Sequence, residues 1–144
     1  MLSISVRPER YSYSMIKNSG VFAVNLTNEA LAYATDFCGV KSGKDVDKFA
    51  ACNLTAEDAK TIDAPTIKES PLSIECKIRA VLELGSHHMF IADVTCIQVD
   101  EAYMDDNDTF HLDWSKPIAY SHGKYYKLGK ELGHFGWSVR KKKK

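Results

Sequence analysis

Ile74-Glu75-Cys76-Lys77-Ile78-Arg79-Ala80-Val81-Leu82-Glu83-Leu84-Gly85-Ser86-His87-His88-Met89-Phe90-Ile91-Ala92-Asp93-Val94-Thr95-Cys96-Ile97-Gln98-Val99 carries the strongest structural signal in this chain. Ile74, Cys76, Ile78, Ala80, Leu82 and Leu84 alternate with more polar neighbours, which is the period of a half-buried strand. Gly85-Ser86 supplies a tight turn, and His88 to Val99 is a second apolar run of strand length, so the stretch reads as a hairpin. The second strand is apolar on both faces, with Met89, Ile91 and Val99 against Phe90, Ala92 and Val94. That pattern predicts cover on each side, as in a barrel with helices or a partner outside it.

Working outward toward the N-terminus, Leu2 to Val6 alternates as a strand and ends at Arg7-Pro8, since proline cannot donate to a ladder. Tyr11, Met15 and Ile16 suit one apolar stripe of a short helix from Arg10 to Ser19, with Gly20 as its C-terminal cap. Val21 to Leu26 reads as a buried strand. Thr27 or Asn28 can cap a second helix, in which Leu31, Ala34, Thr35 and Cys38 recur at helical spacing before Gly39 stops it. A polar loop, Val40 to Asp45, precedes a short helix through Val46 and Phe49, and a connector containing Pro65 and Pro71 leads into the hairpin. Beyond the hairpin, Asp100 to Asp108 is acidic and loop-like, and Pro117–Tyr120 and Phe135–Val139 are two further short strands. The fold class expected is a strand-dominated α+β domain.

At 144 residues the chain fits one domain, residues 1–144, because a second independent core would need roughly 50 or more further residues. Lys plus Arg and Asp plus Glu number 19 each, so no net field draws a phosphate backbone or an anionic membrane surface, and nucleic acid is not an expected partner. The basic run Arg140 to Lys144 reads as a solvated, disordered tail. Cys38, Cys52, Cys76 and Cys96 stand far apart without a C-x-x-C pair, which gives neither a zinc framework nor a redox dithiol sequence support. No run approaches the roughly 20 apolar residues that span a bilayer, so the expectation is no membrane and a reducing cytoplasm with free thiols.

Lys41-Ser42-Gly43-Lys44 offers a glycine, a hydroxyl and flanking ammonium groups, which suits either an anion site or a polar surface turn. It is not a magnesium-holding P-loop, since Asp45 stands where that loop needs Ser or Thr. His87 and His88 alternate to opposite faces, so at most one of them points into a ligand cleft. His111, His122 and His134 lack metal-site spacing, and no nucleophile motif is present. Tyr120, Tyr125, Tyr126, Phe135 and Trp137 crowd the last quarter, as core packing or as a stacking surface for a planar ligand.

Six segments in order carry a resemblance: Ser5-Val6-Arg7-Pro8, Arg10-Tyr11-Ser12-Tyr13, Thr35 to Gly43, Gly85-Ser86-His87-His88-Met89-Phe90, Ala119-Tyr120-Ser121-His122-Gly123 and Gly133-His134-Phe135-Gly136. Together they resemble the flavoredoxin branch of the flavin-reductase-like family, over nearly the whole chain. The resemblance implies a split β-barrel homodimer that binds FMN without a covalent link near the subunit interface, acting as a flavin reductase or flavoredoxin-like oxidoreductase. Electrons would come from a reduced nicotinamide, NAD(P)H, or from an iron–sulfur partner protein. Carried over by position, Ser5, Arg7, Arg10, Tyr11 and Ser12 would line the flavin and its ribityl phosphate. Lys41, Ser42 and Gly43 would add polar contacts, His88 would sit near the isoalloxazine, and Tyr125 or Tyr126 would cover it. Lys41 and His88 are then the candidates for tuning its potential.

Members of that family carry a further segment before the strand that begins here, so the resemblance also implies an N-terminally incomplete barrel. The rival expectation is therefore a non-catalytic truncated barrel kept for dimerisation or ligand binding. A third is a barrel that supplies reduced flavin to a separate oxygenase.

Overall fold

The computed structural model describes residues 1–140; the expected basic tail lies, apart from Arg140, outside them. Four strands form one antiparallel sheet: β1 (Leu2–Val6), β2 (Val21–Asn25), β5 (Leu72–Glu83) and β6 (His88–Val99), in the order β1-β6-β5-β2. The hairpin read from the sequence is its spine, with twelve residues in each arm. Gly85, at φ +80°, takes the left-handed conformation that a tight reversal needs.

Strict alternation along β5 does not hold, because the register shifts twice. Thr95 is an extra residue in β6 between the Glu75–Cys96 and Cys76–Val94 pairs, and Arg79 is an extra residue in β5 between Ile78–Ala92 and Ala80–Ile91. The second bulge changes the strand's phase: Val81 packs on the core, while Ala80, Leu82 and Leu84 are exposed. Bulges of this kind bend a hairpin and increase its twist, which curls the sheet.

The core lies on one face of that sheet. Phe22, Cys76, Phe90 and Ala92 are buried, with Leu2, Ile4 and Val6 of β1 packed against them. The helix α1 (Tyr11–Ser19) crosses this face, and its C-terminal cap is Gly20 as expected, donating to the Ile16 carbonyl at 3.0 Å. Its inward residues are Tyr13 and Ile16, so the apolar stripe is split: Tyr11 and Met15 are half-exposed on the helix's other side.

The connector between α3 (Lys48–Ala51) and β5 carries two-residue strands, β3 (Ala56–Glu57) and β4 (Thr66–Ile67), and is pinned to the sheet by side chains. Asn25 Oδ1 accepts from the Ile67 N–H at 3.0 Å and from the Ser73 hydroxyl at 2.7 Å. Glu75 is wholly buried and accepts four hydrogen bonds, from Lys60 N–H (2.7 Å), Thr61 N–H (2.6 Å), Thr61 Oγ1 (2.6 Å) and Gln98 Nε2 (2.7 Å).

The helix α2 (Ala32–Val40) begins after Asn28, whose Oδ1 accepts the Leu31 N–H at 3.0 Å. Gly39 does not stop it; the helix runs through Gly39 and Val40, because that glycine does not take the left-handed conformation that ends helices. Near the C-terminus, β7 (Ile118–Ser121) pairs with β8 (Lys124–Lys127) across His122-Gly123, both at positive φ. That is the mirror-image turn favoured by two-residue hairpins. The strand expected at Phe135–Val139 is absent: Gly136 sits at φ +82°, Trp137–Val139 is a single 3₁₀ turn, and Phe135 is fully exposed. Strands thus dominate with a few short helices, the α+β class expected from the pattern.

Candidate functional site

Arg7-Pro8-Glu9-Arg10 closes a turn, with the Arg10 N–H donating to the Arg7 carbonyl at 3.0 Å, and proline suits its second position. The turn swings α1 back so that its first residues face the loop after α2. That loop is self-organised. Asp45 and Val46 N–H both reach the Ser42 carbonyl at 3.2 Å, Ser42 Oγ accepts from Lys44 N–H at 3.2 Å, and Asp47 caps α3 by accepting from Phe49 (3.0 Å) and Ala50 (3.1 Å). Lys48 Nζ then donates to the Cys38 carbonyl at 2.6 Å, tying α3 to the end of α2 and satisfying a helix-terminal oxygen.

Between these parts runs a half-open groove of about 750 Å³, within the size range of small-molecule sites. It brings together six residues expected from the sequence: Arg10, Tyr11, Ser12, Lys41, Ser42 and Gly43. Met15, Val46 and Phe49 add apolar wall, and Cys38, Gly39, Glu9, Asp47 and Lys48 complete it. Gly43 matters here for closeness rather than for φ: a Cβ at this position would stand 3.4 Å from the Tyr11 ring.

Electrostatically the groove is positive at its polar end. Glu9 is held by Arg7 at 2.6 Å, Asp47 is engaged as a helix cap, and Lys48 is held by the Cys38 carbonyl. Among the described residues neither Arg10 nor Lys41 has an ion-pair partner. A hydrogen bond from its own backbone lowers the Glu9 carboxyl pKa, burial opposes this, and Arg7 and His87 lower it further.

The other expected residues fall outside the groove. Arg7 borders it only through Glu9. Ser5 is exposed on β1, opposite Met89. His88 turns to the core face: its Nδ1 is 2.7 Å from the Tyr13 hydroxyl, its ring meets Tyr13 edge-on at 5.3 Å, and its side chain is only 15% exposed. Tyr125 packs at 5.1 Å from Tyr120, in the β7–β8 hairpin. Burial, then the nearby Asp36 and Tyr120, raise the Tyr125 pKa. Met15, Val46 and Phe49 were missed as groove residues because they read as core positions of short helices, although the exposure of Met15 follows once Tyr13 and Ile16 claim the inward face.

A second feature lies on the loop after β6. Asp105 Oδ2 meets His111 Nε2 at 2.9 Å, and the His111 ring stacks on Trp114 at 4.3 Å with an 11° tilt. The His111 hydrogen bond, followed by those from Thr109 and Asn107, lowers Asp105 to a pKa of about 2. No group of three or more metal-ligating side chains occurs among the described residues, and no helix there is long and apolar enough to cross a membrane.

Comparison with known proteins adds independent findings. The family model described as "Flavin reductase like domain" matches residues 1–129. A protein of Aquifex aeolicus is 29% identical over 129 residues, covering 88% of this chain and 66% of that protein. The flavoredoxin of Desulfovibrio vulgaris (Miyazaki F) superposes with a TM-score of 0.86 at 28% identity, covering 96% of this chain and 76% of that one. A structure with a split barrel domain from Shewanella frigidimarina gives a TM-score of 0.80 at 22% identity, covering 94% of this chain and 69% of that one. The curled sheet is thus the split-barrel fold expected. The chain spans 66%, 59% and 45% of the lengths of three of its curated relatives.

Proposed function

The chain belongs to the flavin reductase like domain family, and from that premise we propose that its groove holds FMN and that the protein is a flavin-dependent oxidoreductase. The observation that carries the reading is the pairing of two cations, Arg10 and Lys41, that have no ion-pair partner among the described residues, with an apolar wall of Tyr11, Met15 and Phe49 in one groove. FMN is a dianion joined to a flat ring, so it needs cations and hydroxyls at one end and aromatic or apolar cover at the other. Arg10, Ser12, Lys41 and Ser42 would hold the phosphate and ribityl oxygens, and Tyr11 and Met15 would shield the less polar part. When bound, the flavin supplies the capacity to accept and release a hydride. The protein's own residues bind it, orient it and exclude water.

The reading extends to a homodimer in the cytoplasm. Ser5 and Tyr125 lie outside the groove, and a second copy would bring such residues to the cofactor. A reduced nicotinamide or an iron–sulfur protein would serve as electron donor. FMN is favoured over FAD because the groove's polar end is one short loop, matched to a single phosphate.

Titration of FMN into the purified chain, followed by quenching of flavin fluorescence, tests this. Saturable binding is expected, weaker for FAD. Lys41→Ala should weaken it about tenfold or more, since a charged hydrogen bond contributes about 1.5–3 kcal/mol. Unchanged affinity would remove Lys41 from the site. Absence of binding to either flavin would end the redox assignment.

A further inference from the structure

Tyr13 and His88 stand 75 positions apart in sequence and meet on the core face of the sheet, with the Tyr13 hydroxyl 2.7 Å from His88 Nδ1. Tyr13 does more than make this bond. It is one of the two residues that α1 turns inward, its ring meets Phe90 edge-on at 5.5 Å, and its N–H donates to the Arg10 carbonyl at 2.9 Å. Among the described residues no side chain caps the N-terminus of α1, and its first turn holds no acidic residue. The end of the helix that brings Arg10, Tyr11 and Ser12 to the groove is therefore held from Tyr13 rather than from a cap.

The groups around the His88 ring come from three elements. From α1 come Tyr13 and Lys17, whose Nζ lies 5.7 Å from the Tyr13 ring centre. From β5 comes Glu83, the pairing partner of His88 in the hairpin, with Oε1 3.9 Å from His88 Nδ1 and 4.0 Å from Lys17 Nζ. The third, β1, sets Val6 opposite His88, and the Arg7 that follows is paired with Glu9 at 2.6 Å. His87, the neighbour in sequence, has its own Nδ1 3.0 Å from the Ser86 hydroxyl. His88 Nδ1 thus has two rival partners, a phenol hydroxyl in contact and a carboxylate further out.

We propose that Tyr13 and His88 form a proton-sensitive latch that positions the first turn of α1, and with it Arg10 and Ser12, at the groove. With the ring neutral and its proton on Nε2, Nδ1 offers a lone pair and the Tyr13 hydroxyl donates to it. A proton taken from solvent onto Nδ1 removes that lone pair, while Tyr13 keeps its own proton. The Nδ1–H of the imidazolium then finds in Glu83 a charged acceptor, and charge-assisted hydrogen bonds are about twice as strong as neutral ones. The Glu83 side chain is exposed, so it can swing inward, in competition with its contact to Lys17. The ring turns to Glu83, and α1 loses its polar tie to the hairpin. Tyr13 and His88 act through α1 and are positioning residues; only their effect on FMN rests on the flavin reading.

The nitrogen shifts of the His88 ring and amide hydrogen exchange, followed by NMR from about pH 8 to about pH 5, where imidazole titrates, test the latch without a ligand. Expected at the upper end is the Nε2–H tautomer. Protection factors of the Tyr13 to Ile16 amides should fall about threefold to tenfold as the ring takes up its second proton. In Tyr13→Phe, which keeps a ring beside Phe90, the lower protection should be present across the whole range. An Nδ1–H tautomer, or unchanged protection in the parent chain, would overturn the latch. Glu83→Gln removes the charged rival, so protection should persist into acid; a fall as large as the parent's would overturn the exchange of partners. Because a phosphate monoester itself titrates at about pH 6, FMN affinity is compared between the parent and Tyr13→Phe at each pH. The parent should bind FMN about threefold to tenfold more tightly at about pH 8 and no more tightly at about pH 5. Equal affinities throughout would overturn the link from latch to groove. A latch seen by NMR in a chain that binds neither FMN nor FAD would count against the flavin reading alone.

Discussion

Replacing Glu75 by glutamine tests how a carboxylate with no exposed surface stabilises this fold. Its two oxygens accept four hydrogen bonds from donors at 2.6–2.7 Å. Burial raises its pKa, but the Thr61 hydroxyl, the Lys60 and Thr61 amides and the Gln98 amide together outweigh it, and the pKa is lowered from 4.5. Glutamine keeps the shape but replaces one acceptor oxygen with an NH₂. If that NH₂ takes the Oε2 position, the Thr61 hydroxyl can rotate to accept from it, and the Thr61 N–H is left without an acceptor. One buried unsatisfied donor costs about 1–3 kcal/mol. Because the folded-state pKa is depressed, Glu75's stabilisation is complete above its unfolded value and is lost as pH falls through the folded one. Glu75→Gln should therefore lower stability by about 1–3 kcal/mol at neutral pH, and the gap should narrow as the medium is acidified below 4.5. Urea unfolding followed by circular dichroism at several pH values measures this. A gap that stays constant into acid, or a variant as stable as the parent at neutral pH, would refute the reasoning.

Phe90 is fully buried at the centre of the core, so Phe90→Ala should cost about 3–5 kcal/mol in the same urea assay; a loss below about 1 kcal/mol would mean the sheet closes over the cavity. The Asp105 carboxyl should titrate with a midpoint near 2 by NMR, and its stabilising contact with His111 is present above the ordinary value of 3.8 and lost as pH falls toward 2. A midpoint near 3.8 would show that the Asp105–His111 contact does not form in solution.

The hairpin, α1 with its glycine cap, and β2 were legible because each carries a local signal: period-two alternation, helical spacing or a residue that must end an element. The β8 strand was not, since all four of Lys124-Tyr125-Tyr126-Lys127 are exposed and no alternation marks it. Phe135–Val139 misled for the opposite reason. An apolar run is a strand only where something covers it, and the Phe135 side chain is bare. The groove was half legible: Lys41-Ser42-Gly43 and the Arg10–Ser12 segment at the start of α1 showed donor chemistry, but nothing local said that they face each other. His88 and Tyr125 lie outside the groove, the first held on the core face by Tyr13 and the second carried by the β7–β8 hairpin beside Tyr120, and no local pattern marks either position.

Sequence alone determined the strand character of β1, β2 and the two arms of the hairpin, the turn chemistry at Gly85 and Gly20, and the supply of cations and hydroxyls in two short segments. Those properties depend on residues within a few positions of one another. Tertiary structure alone decided that Arg79 bulges and reverses the phase of β5, that Glu75 lies under Lys60 and Thr61, and that the start of α1 faces the loop after α2 across the groove. Each of these depends on which distant backbone arrives opposite a given side chain, and chain closure sets that rather than local preference.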